Sequence, residues 1–425
     1  MNIKIIGDIF LEHYVLNNKH SFGGVMHSAR MLSKYDFIEK SIAYNIPFYM
    51  KNNVNIELKS LGFDNMTFHK QYLESSNVFV INDIFENTLN GQYNRLFAIS
   101  NKQLEVCELD VLDESILFFP SLNEELNYKY LKLFKEKDVK VFIDLNYLNL
   151  PLDVLKDIKH ENLYLFISIN KVNEEIILKL IKEMHFSLLV VKMNKGGSIV
   201  YRDDGTKVEI PCYIETEGIS VGVGDVYDTA FAVSVLQNKE LEVCGRIGSF
   251  YASLYSINHS ETFESIPNYV EDKILYEISL KGVFSDWNMR YRSKIYLAGP
   301  DFSSGKRRKF EKLEEMLVSH NFNVVRPIIE NGESYEDIDF LQEKTMYNKD
   351  RELIDTSDIC LALLLDNDQG TLVEIGIFNT QNKIVILYDP YYIENNMFLK
   401  NTCQYIVHSL EKLFHVLYFC IGEIK

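Results

Sequence analysis

The sequence predicts an α/β protein with two doubly wound, mainly parallel sheets in tandem: a larger domain over residues 1–288, a linker at 289–293 and a smaller domain over 294–425. Three observations predict this. Strand-length apolar runs alternate with amphipathic helical patterns, which implies a mainly parallel sheet with helices on both faces. The pattern restarts on a smaller scale at Lys294, after the polar stretch Ser285-Asp-Trp-Asn-Met-Arg-Tyr-Arg-Ser293. The chain has 425 residues and 47% hydrophobic content, enough for two or three domains with cores of their own.

In the first part, strands are expected at Ile3–Ile6, Ser41–Tyr44, Ile116–Phe119, Val139–Ile143, Leu163–Ile167 and Leu188–Val191. Helical spacing falls at Met26–Ser33, Asn52–Leu61, Glu124–Lys137, Asn173–Glu183, Asp225–Gln237 and Leu241–Tyr255. Lys70–Glu105 differs: its short β-prone runs, broken by Asn and Gly, suggest a small antiparallel addition. A helical tail, Tyr269–Leu280, ends near Gly282. The second part reads as strand Lys294–Ala298, helix Lys306–His320, strand Asn323–Arg326, helix Asp339–Thr356, strand Ile359–Leu365, helix Leu372–Gln381 and strand Lys383–Tyr388.

A net charge of -17 argues against nucleic acid or an anionic membrane surface as partner, since both call for a basic face. It does not exclude small anionic ligands. The six cysteines are scattered without a C-x-x-C pair, as expected of reduced thiols in the cytoplasm. The opening Met-Asn-Ile-Lys-Ile-Ile-Gly-Asp reads as strand and turn rather than a secretory leader. No apolar run reaches about 18 residues, so no membrane span is expected.

Two stretches promise chemistry. The first is Glu217-Gly-Ile-Ser-Val-Gly222-Val223-Gly224-Asp225, a glycine-rich turn feeding a helix. Converging amides and the positive end of the helix suit the charge on a transferring phosphoryl group. Asp225 at the helix start suits a base that takes a proton from a hydroxyl. The plainer alternative is a helix capped by Asp225.

This part resembles the ribokinase/PfkB family of sugar and nucleoside kinases, whose signature is a Gly-Ala-Gly-Asp turn opening a helix. The resemblance covers most of residues 1–285. Ile5-Ile-Gly-Asp8-Ile-Phe-Leu-Glu12 is similar to the family's first strand and sugar-binding turn, and Phe22-Gly23-Gly24-Val-Met-His27-Ser-Ala29 to its Gly-Gly-x-x-Asn-x-Ala segment. Asp144-Leu-Asn146 matches its Asp-x-Asn strand end, and Val191-Lys-Met-Asn194-Lys-Gly196-Gly197 is a degenerate form of its nucleotide turn. The resemblance implies a three-layer fold and the use of ATP and Mg2+. It implies Asp225 as base, and the amides of Gly222, Val223, Gly224 and Asp225 as anion hole. Asp8, Gly23, Gly24 and His27 would face the acceptor, and Asn170, Asn194 and Gly197 the nucleotide. The sequence departs from the family at His27 (commonly Asn), Glu12 (often Asp) and Asn194 (Gly). Around Asn170-Lys-Val-Asn173-Glu174 the magnesium-associated acid is shifted or substituted. Without the Gly-Gly beside it, His27 reads as a packed, hydrogen-bonded histidine.

The second stretch follows the apolar strand Ile359-Cys-Leu-Ala-Leu-Leu-Leu365. It is Asp368-Gln-Gly370-Thr371-Leu-Val-Glu374, about twenty residues beyond Tyr347-Asn-Lys-Asp350. Open α/β sheets bind ligands outside the carboxyl ends of their strands. Asp355 and Asp358 read as a solvated face, and the spacing of Asp350 and Asp358 lets them share a helix side. Glu374, in the otherwise apolar Thr371-Leu-Val-Glu-Ile-Gly-Ile-Phe378, needs a partner or a task. Upstream, Ile295-Tyr-Leu-Ala-Gly299-Pro300-Asp301-Phe302 ends a strand in a sharp turn. Ser303-Ser304-Gly305-Lys306-Arg307-Arg308 then brings hydroxyls and cations to a helix start, suited to a phosphate or simply to solvent.

These segments resemble the nucleoside 2-deoxyribosyltransferase family and its nucleotide N-hydrolase relatives, from Lys294 to about Pro390. The resemblance implies Glu374 as nucleophile at the anomeric carbon. Asp350 and Asp368 would orient substrate and handle the leaving base's proton. Tyr296, Gly299, Pro300, Phe302, Ser303, Gly370 and Thr371 would line the pocket, with no cofactor or metal. The family's sites are often completed by a neighbouring subunit, so a homo-oligomer is expected. Two functions follow as expectations. One is a bifunctional enzyme that cleaves or exchanges an N-glycosidic bond and phosphorylates a sugar or nucleoside, with small-molecule partners only. The alternative is a regulatory or defence protein with a ligand-sensing kinase-like half and a nucleotide-depleting half.

Overall fold

The structure is a computed structural model that describes residues 1–15, 18–71, 78–81, 94–95, 104–105, 114–147, 152–170, 173–213, 219–258, 266–301, 304–332 and 339–423. The chain divides into two compact units, Met1–Glu86 with Gln92–Gly282, and Val283–Lys425 with Asn87–Gly91.

In the first unit the strands are β1 Asn2–Tyr14, β2 Lys19–Gly24, β3 Glu39–Pro47, β4 Asn65–Gln71, β5 Val78–Ile81, β6 Asn94–Arg95, β7 Leu104–Glu105, β8 Ser115–Phe118, β9 Val141–Asp144, β10 Leu163–Ser168, β11 Leu188–Lys192, β12 Ser198–Arg202 and β13 Lys207–Ile210. The helices are α1 Val25–Leu32, α2 Lys51–Ser60, α3 Glu124–Glu136, α4 Glu174–Glu183, α5 Val223–Leu236, α6 Leu241–Asn258 and α7 Asp272–Lys281. The sheet runs β13-β12-β11-β10-β9-β8-β1-β3-β4-β7. Its centre is parallel, as expected, with Ile5 opposite both Ile42 and Leu117. The near-continuous apolar runs of β10 and β11 are buried along their length, as strands covered on both faces must be.

β1 serves two purposes. Its first half lies in the main sheet, while Ile9–Tyr14 pairs antiparallel with β2 and in part parallel with β5, to which β6 adds. This side sheet is partly the antiparallel addition foreseen around Lys70–Glu105. The antiparallel strands β12 and β13 lay outside the expectation. α5 is buried from Asp225 to Ser234, all round, so it lies inside the unit rather than on its surface.

The second unit contains α8 Trp287–Arg290, β14 Lys294–Ala298, α9 Ser304–Ser319, β15 Asn323–Val325, α10 Pro327–Asn331, α11 Phe340–Thr356, β16 Ile359–Leu363, α12 Gln369–Thr380, β17 Ile384–Tyr388, α13 Met397–Thr402, β18 Tyr405–Val407 and α14 Leu410–Glu423. All five strands are parallel, in the order β15-β14-β16-β17-β18. Chain direction across the sheet reverses between β14 and β16. A doubly wound sheet opens its ligand crevice at such a point, at the carboxyl ends of the strands.

One expectation fails here. The polar stretch read as a linker contains α8, with Trp287 2% and Arg290 0% exposed. The Arg290 guanidinium lies 4.6 Å over the Tyr418 ring and donates to the carbonyls of Ser285 and His320. Main-chain acceptors and a ring face satisfy the cation, so a sequence that looks solvated is packed.

Candidate active sites, one in each unit

In the second unit, the two turns that flank the crevice carry the predicted residues. After β14 the chain passes Gly299 with φ 151°, where a Cβ would stand 2.2 Å from the Phe310 ring and 2.9 Å from the Leu363 carbonyl oxygen. Only glycine fits this turn. Pro300 and Asp301 are buried behind it, and Arg326 clamps Asp301 through Nη2 at 2.6 Å and Nε at 3.0 Å. Phe302 and Ser303 lie outside the described residues.

After β16 the chain reaches Asp368, the N-cap of α12. Its Oδ2 accepts from the Thr371 amide and the Thr371 hydroxyl, both at 2.7 Å. The cap fixes where the helix begins and hence where Glu374 projects. Thr371 is buried in this bond, whereas Gly370 is exposed at the helix start.

Glu374 is half-buried, and its Oε1 accepts from the Tyr296 hydroxyl at 2.6 Å. Burial pushes its carboxyl up to about 7; the Tyr296 bond opposes this, and the charges of Asp350 and Asp368 add to it. The structure therefore brings Glu374, Asp350, Asp368 and Tyr296 into one electrostatic group. Asp350 is half-buried on α11, accepts from Asn331 Nδ2 at 2.7 Å, and is raised by burial. Asn331 had no signal in the sequence, because α10 reaches the site only through the fold.

Two readings change. Tyr296, expected to line the pocket, is 0% exposed and braces Glu374 from beneath. Asp358 shares no helix face with Asp350: α11 ends at Thr356, and Asp358 Oδ2 accepts from the Lys294 amide at 2.8 Å. Of the cations at the start of α9, Lys306 is paired with Asp366. Because the Tyr296 hydroxyl favours the ionised form of Glu374, Tyr296→Phe should raise that carboxyl further. The expected result is a titration midpoint of the Glu374 carboxyl, followed by carbon-13 NMR, moved up by about one unit.

In the first unit, a cavity is lined by Asp8, Phe10, Gly24, Val25, Phe119, Pro120, Leu122 and Asp225. It brings together three residues predicted far apart in sequence: Asp8, Gly24 and Asp225. The Leu122 amide donates to Asp8 Oδ2 at 2.8 Å, the Asn45 side chain donates to the other oxygen, and burial raises the carboxyl. Gly24 caps α1 with φ 63°, and a Cβ there would lie 2.3 Å from the Asp8 carbonyl oxygen. Asp225 is not the cap of α5. Gly222 is, with φ 72°, and Asp225 sits in the first turn. Burial first, then Asp144, lifts the Asp225 carboxyl well above its usual range against the pull of Lys192.

His27 and Gly23 do not face this cavity as expected. His27 is 1% exposed; its Nε2 bonds Glu12 Oε1 at 2.9 Å and its Nδ1 bonds the Tyr255 hydroxyl at 2.6 Å. Glu12 also accepts from Tyr14 at 2.8 Å and Ser21 at 3.1 Å. A Cβ on Gly23 would fall 1.8 Å from Glu12 Oε1, so this glycine makes room for the Glu12 carboxylate. Both His27 nitrogens are thus satisfied inside the protein, the usual condition of a buried histidine.

The residues that sequence reasoning missed are Lys192 and Asp228. Lys192 Nζ lies 2.6 Å from Asp228 Oδ2 and 3.9 Å from Asp144 Oδ2. It is also 3.4 Å from where a Cβ on Gly224 would stand, so an ammonium sits at the glycine-rich turn. Burial works against its charge, but Asp144 and Asp228 outweigh burial and raise its pKa. Asn194 (φ 53°) and Gly197 (φ 91°) shape the exposed turn between β11 and β12, and Val223 begins α5. Asn170 Oδ1 accepts from the Asn173 amide at 2.8 Å; Lys171 and Val172 between them lie outside the described residues.

Comparisons with known proteins found likenesses in both parts of the chain. Residues 295–407 match the family model Nucleoside 2-deoxyribosyltransferase. A nucleoside kinase of Methanothermobacter thermautotrophicus is 33% identical over 89 residues, which span 21% of this chain and 28% of that protein's length. Among solved structures, the fructokinase of Vibrio cholerae superposes with TM-score 0.52 at 11% identity, over 65% of this chain and 98% of that one. The nucleoside kinase of Methanocaldococcus jannaschii, an archaeal member of the ribokinase family, gives 0.48 at 17% identity, over 66% and 98%. Among the described residues no helix is long and apolar enough to cross a membrane. The chain thus joins an N-terminal part of ribokinase-like α/β fold to a C-terminal nucleoside 2-deoxyribosyltransferase domain.

Proposed function

We propose that the C-terminal domain, residues 294–425, breaks the N-glycosidic bond of a (deoxy)nucleoside or nucleotide. Glu374 attacks the anomeric carbon, and the sugar then passes to another base or to water. The observation that supports this most is the Tyr296–Glu374 bond of 2.6 Å within reach of two further carboxylates. An oxocarbenium-like transition state needs an anion beside C1' and a proton for the leaving base. The Tyr296 hydroxyl keeps part of the Glu374 population ionised near pH 7. Asp350, raised by burial, is suited to hold the proton. Asp368 fixes the start of the helix that aims Glu374. The turn at Gly299, backed by Pro300, and the exposed Gly370 at the start of α12 would border the substrate. The test is mass spectrometry of the Glu374 peptide after mixing the protein with deoxynucleosides and deoxynucleotides. A sugar adduct on Glu374 supports the reading; its absence while base is being released would defeat the covalent route.

For residues 1–288 we propose an ATP- and magnesium-dependent kinase for a sugar or nucleoside. Asp8 and Gly24 would bind the acceptor, and Asp225 would be the base. Their shared cavity supports this. Asp225→Asn should cut ATP consumption with ribose, deoxyribose or a nucleoside by about 10²–10⁴-fold. Equal turnover in both proteins would remove Asp225 from the chemistry. One observation favours the second reading, a ligand-sensing domain without turnover: Lys192 already sits at the anion-binding turn, paired to Asp228. The exposed Phe340, Leu341, Val373, Met397 and Phe398 support self-association of the chain. The free thiols Cys244, Cys360, Cys403 and Cys420, all buried, support a reducing, cytoplasmic setting.

A further inference from the structure

Asp389 follows β17, His408 follows β18, and Glu394 lies in the segment that leads into α13. One carboxylate oxygen of Asp389, one of Glu394 and one ring nitrogen of His408 all lie within 4.8 Å of one another. We propose that these three residues form a binding site for one divalent transition ion of the zinc class, a site separate from Glu374 and its partners.

Four features support it. Asp389 is 0% exposed, and its orientation is fixed by the amides of Ile393 at 3.1 Å and Glu394 at 2.9 Å. Glu394 Oε2 is buried with no N–H or hydroxyl donor among the described residues; the Glu394 carboxyl lies against that of Asp389 at hydrogen-bonding range, and its other oxygen is 3.7 Å from Lys400 Nζ. A buried carboxylate oxygen without a donor is costly, and a second carboxylate beside it adds repulsion. A cation between the two would remove both penalties.

His408 Nδ1 donates to the Asp389 carbonyl at 2.8 Å, which selects the tautomer whose lone pair is on Nε2. The Tyr392 ring stacks on the imidazole at 4.0 Å between centroids and 17° between planes, and so holds the ring in place. An N,O,O set with one imidazole favours zinc-class ions over Mg2+ or Ca2+, which take oxygen ligands. Bond lengths near 2.0–2.1 Å put tetrahedral ligand atoms roughly 3.3 Å apart, so loading needs only side-chain shifts of about 1 Å. The ion would tie the ends of two neighbouring strands at the edge of the sheet where Asp368 and Glu374 lie.

The experiment uses the full chain after chelator treatment, titrated with Zn2+ by calorimetry and by thermal melting. The wild type is expected to bind one ion at the site and to gain about 4 °C or more in Tm at saturating Zn2+. Glu394→Gln, nearly isosteric, should weaken that binding at least tenfold and abolish the Tm gain; His408→Ala should do the same. Because His408→Ala also loses the bond to Asp389, the glutamine variant decides the matter if the alanine variant is unstable. Zinc binding equal in wild type and Glu394→Gln would overturn the site. So would a Tm gain reproduced by the same concentration of Mg2+.

Discussion

Glu374→Ala is expected to lower base release by about 10⁴-fold, because it removes the group proposed to bond with the sugar rather than one that positions it. In the wild type the same carboxyl should set the acid limb. Burial holds it at about 7, so the log of the rate should fall with unit slope as pH drops below 7 and level off above. The sign is fixed: attack needs the ionised form, and burial favours the neutral one. The measurement is kcat/KM for base release between pH 5 and 9. A rate still flat down to pH 5, or an alanine variant within tenfold of wild type, would remove Glu374 from the chemistry. Asp350→Asn removes one of the charges that raise Glu374, so it should move the acid limb slightly down and lower the rate for bases that leave only when protonated.

The second large effect concerns Lys192. Lys192→Met leaves Asp228, 1% exposed, without the ammonium 2.6 Å away, and takes from Asp144 its neighbour at 3.9 Å. Breaking a buried pair from one side costs about 3–5 kcal/mol. The urea midpoint of the N-terminal part, followed by circular dichroism, should fall accordingly. Burial raises the Asp228 carboxyl to about 8 against the pull of Lys192, and the double change Lys192→Met with Asp228→Leu removes both groups and should recover most of the loss. If Lys192→Met alone is as stable as wild type, the pair adds nothing to the fold. ATP binding by the double variant then speaks to function. Weakened binding would show that the ammonium contacts phosphate; unchanged binding would make the pair structural.

The order of elements was readable in the sequence where apolar periodicity is strong. β10, β11, β14, β16 and β17 fall within a residue or two of expectation, since each is an apolar run that its pattern already declares. The elements missed are those whose signal is weak or contrary. α8 looks polar because Arg290 is satisfied by carbonyls and rings that come from elsewhere in its unit. β13 carries charges because it is the edge strand of the sheet, next to β12. His27 was misread as facing ligand because the Glu12 and Tyr255 that occupy its nitrogens are brought to it by a hairpin and by α6.

By itself the sequence determined that two parallel α/β sheets follow one another, and that Asp368 stands just past a strand end, where such sheets bind ligands, with Glu374 in the helix that follows. Spacing along one strand or helix is enough for that. Only the tertiary structure decided which groups meet: Tyr296 under Glu374, Asn331 on Asp350, Lys192 among Asp144, Asp225 and Asp228, and His408 beside Asp389 and Glu394. These meetings join different elements or loops of the chain, and the charge states follow from burial and neighbours, which no local pattern encodes.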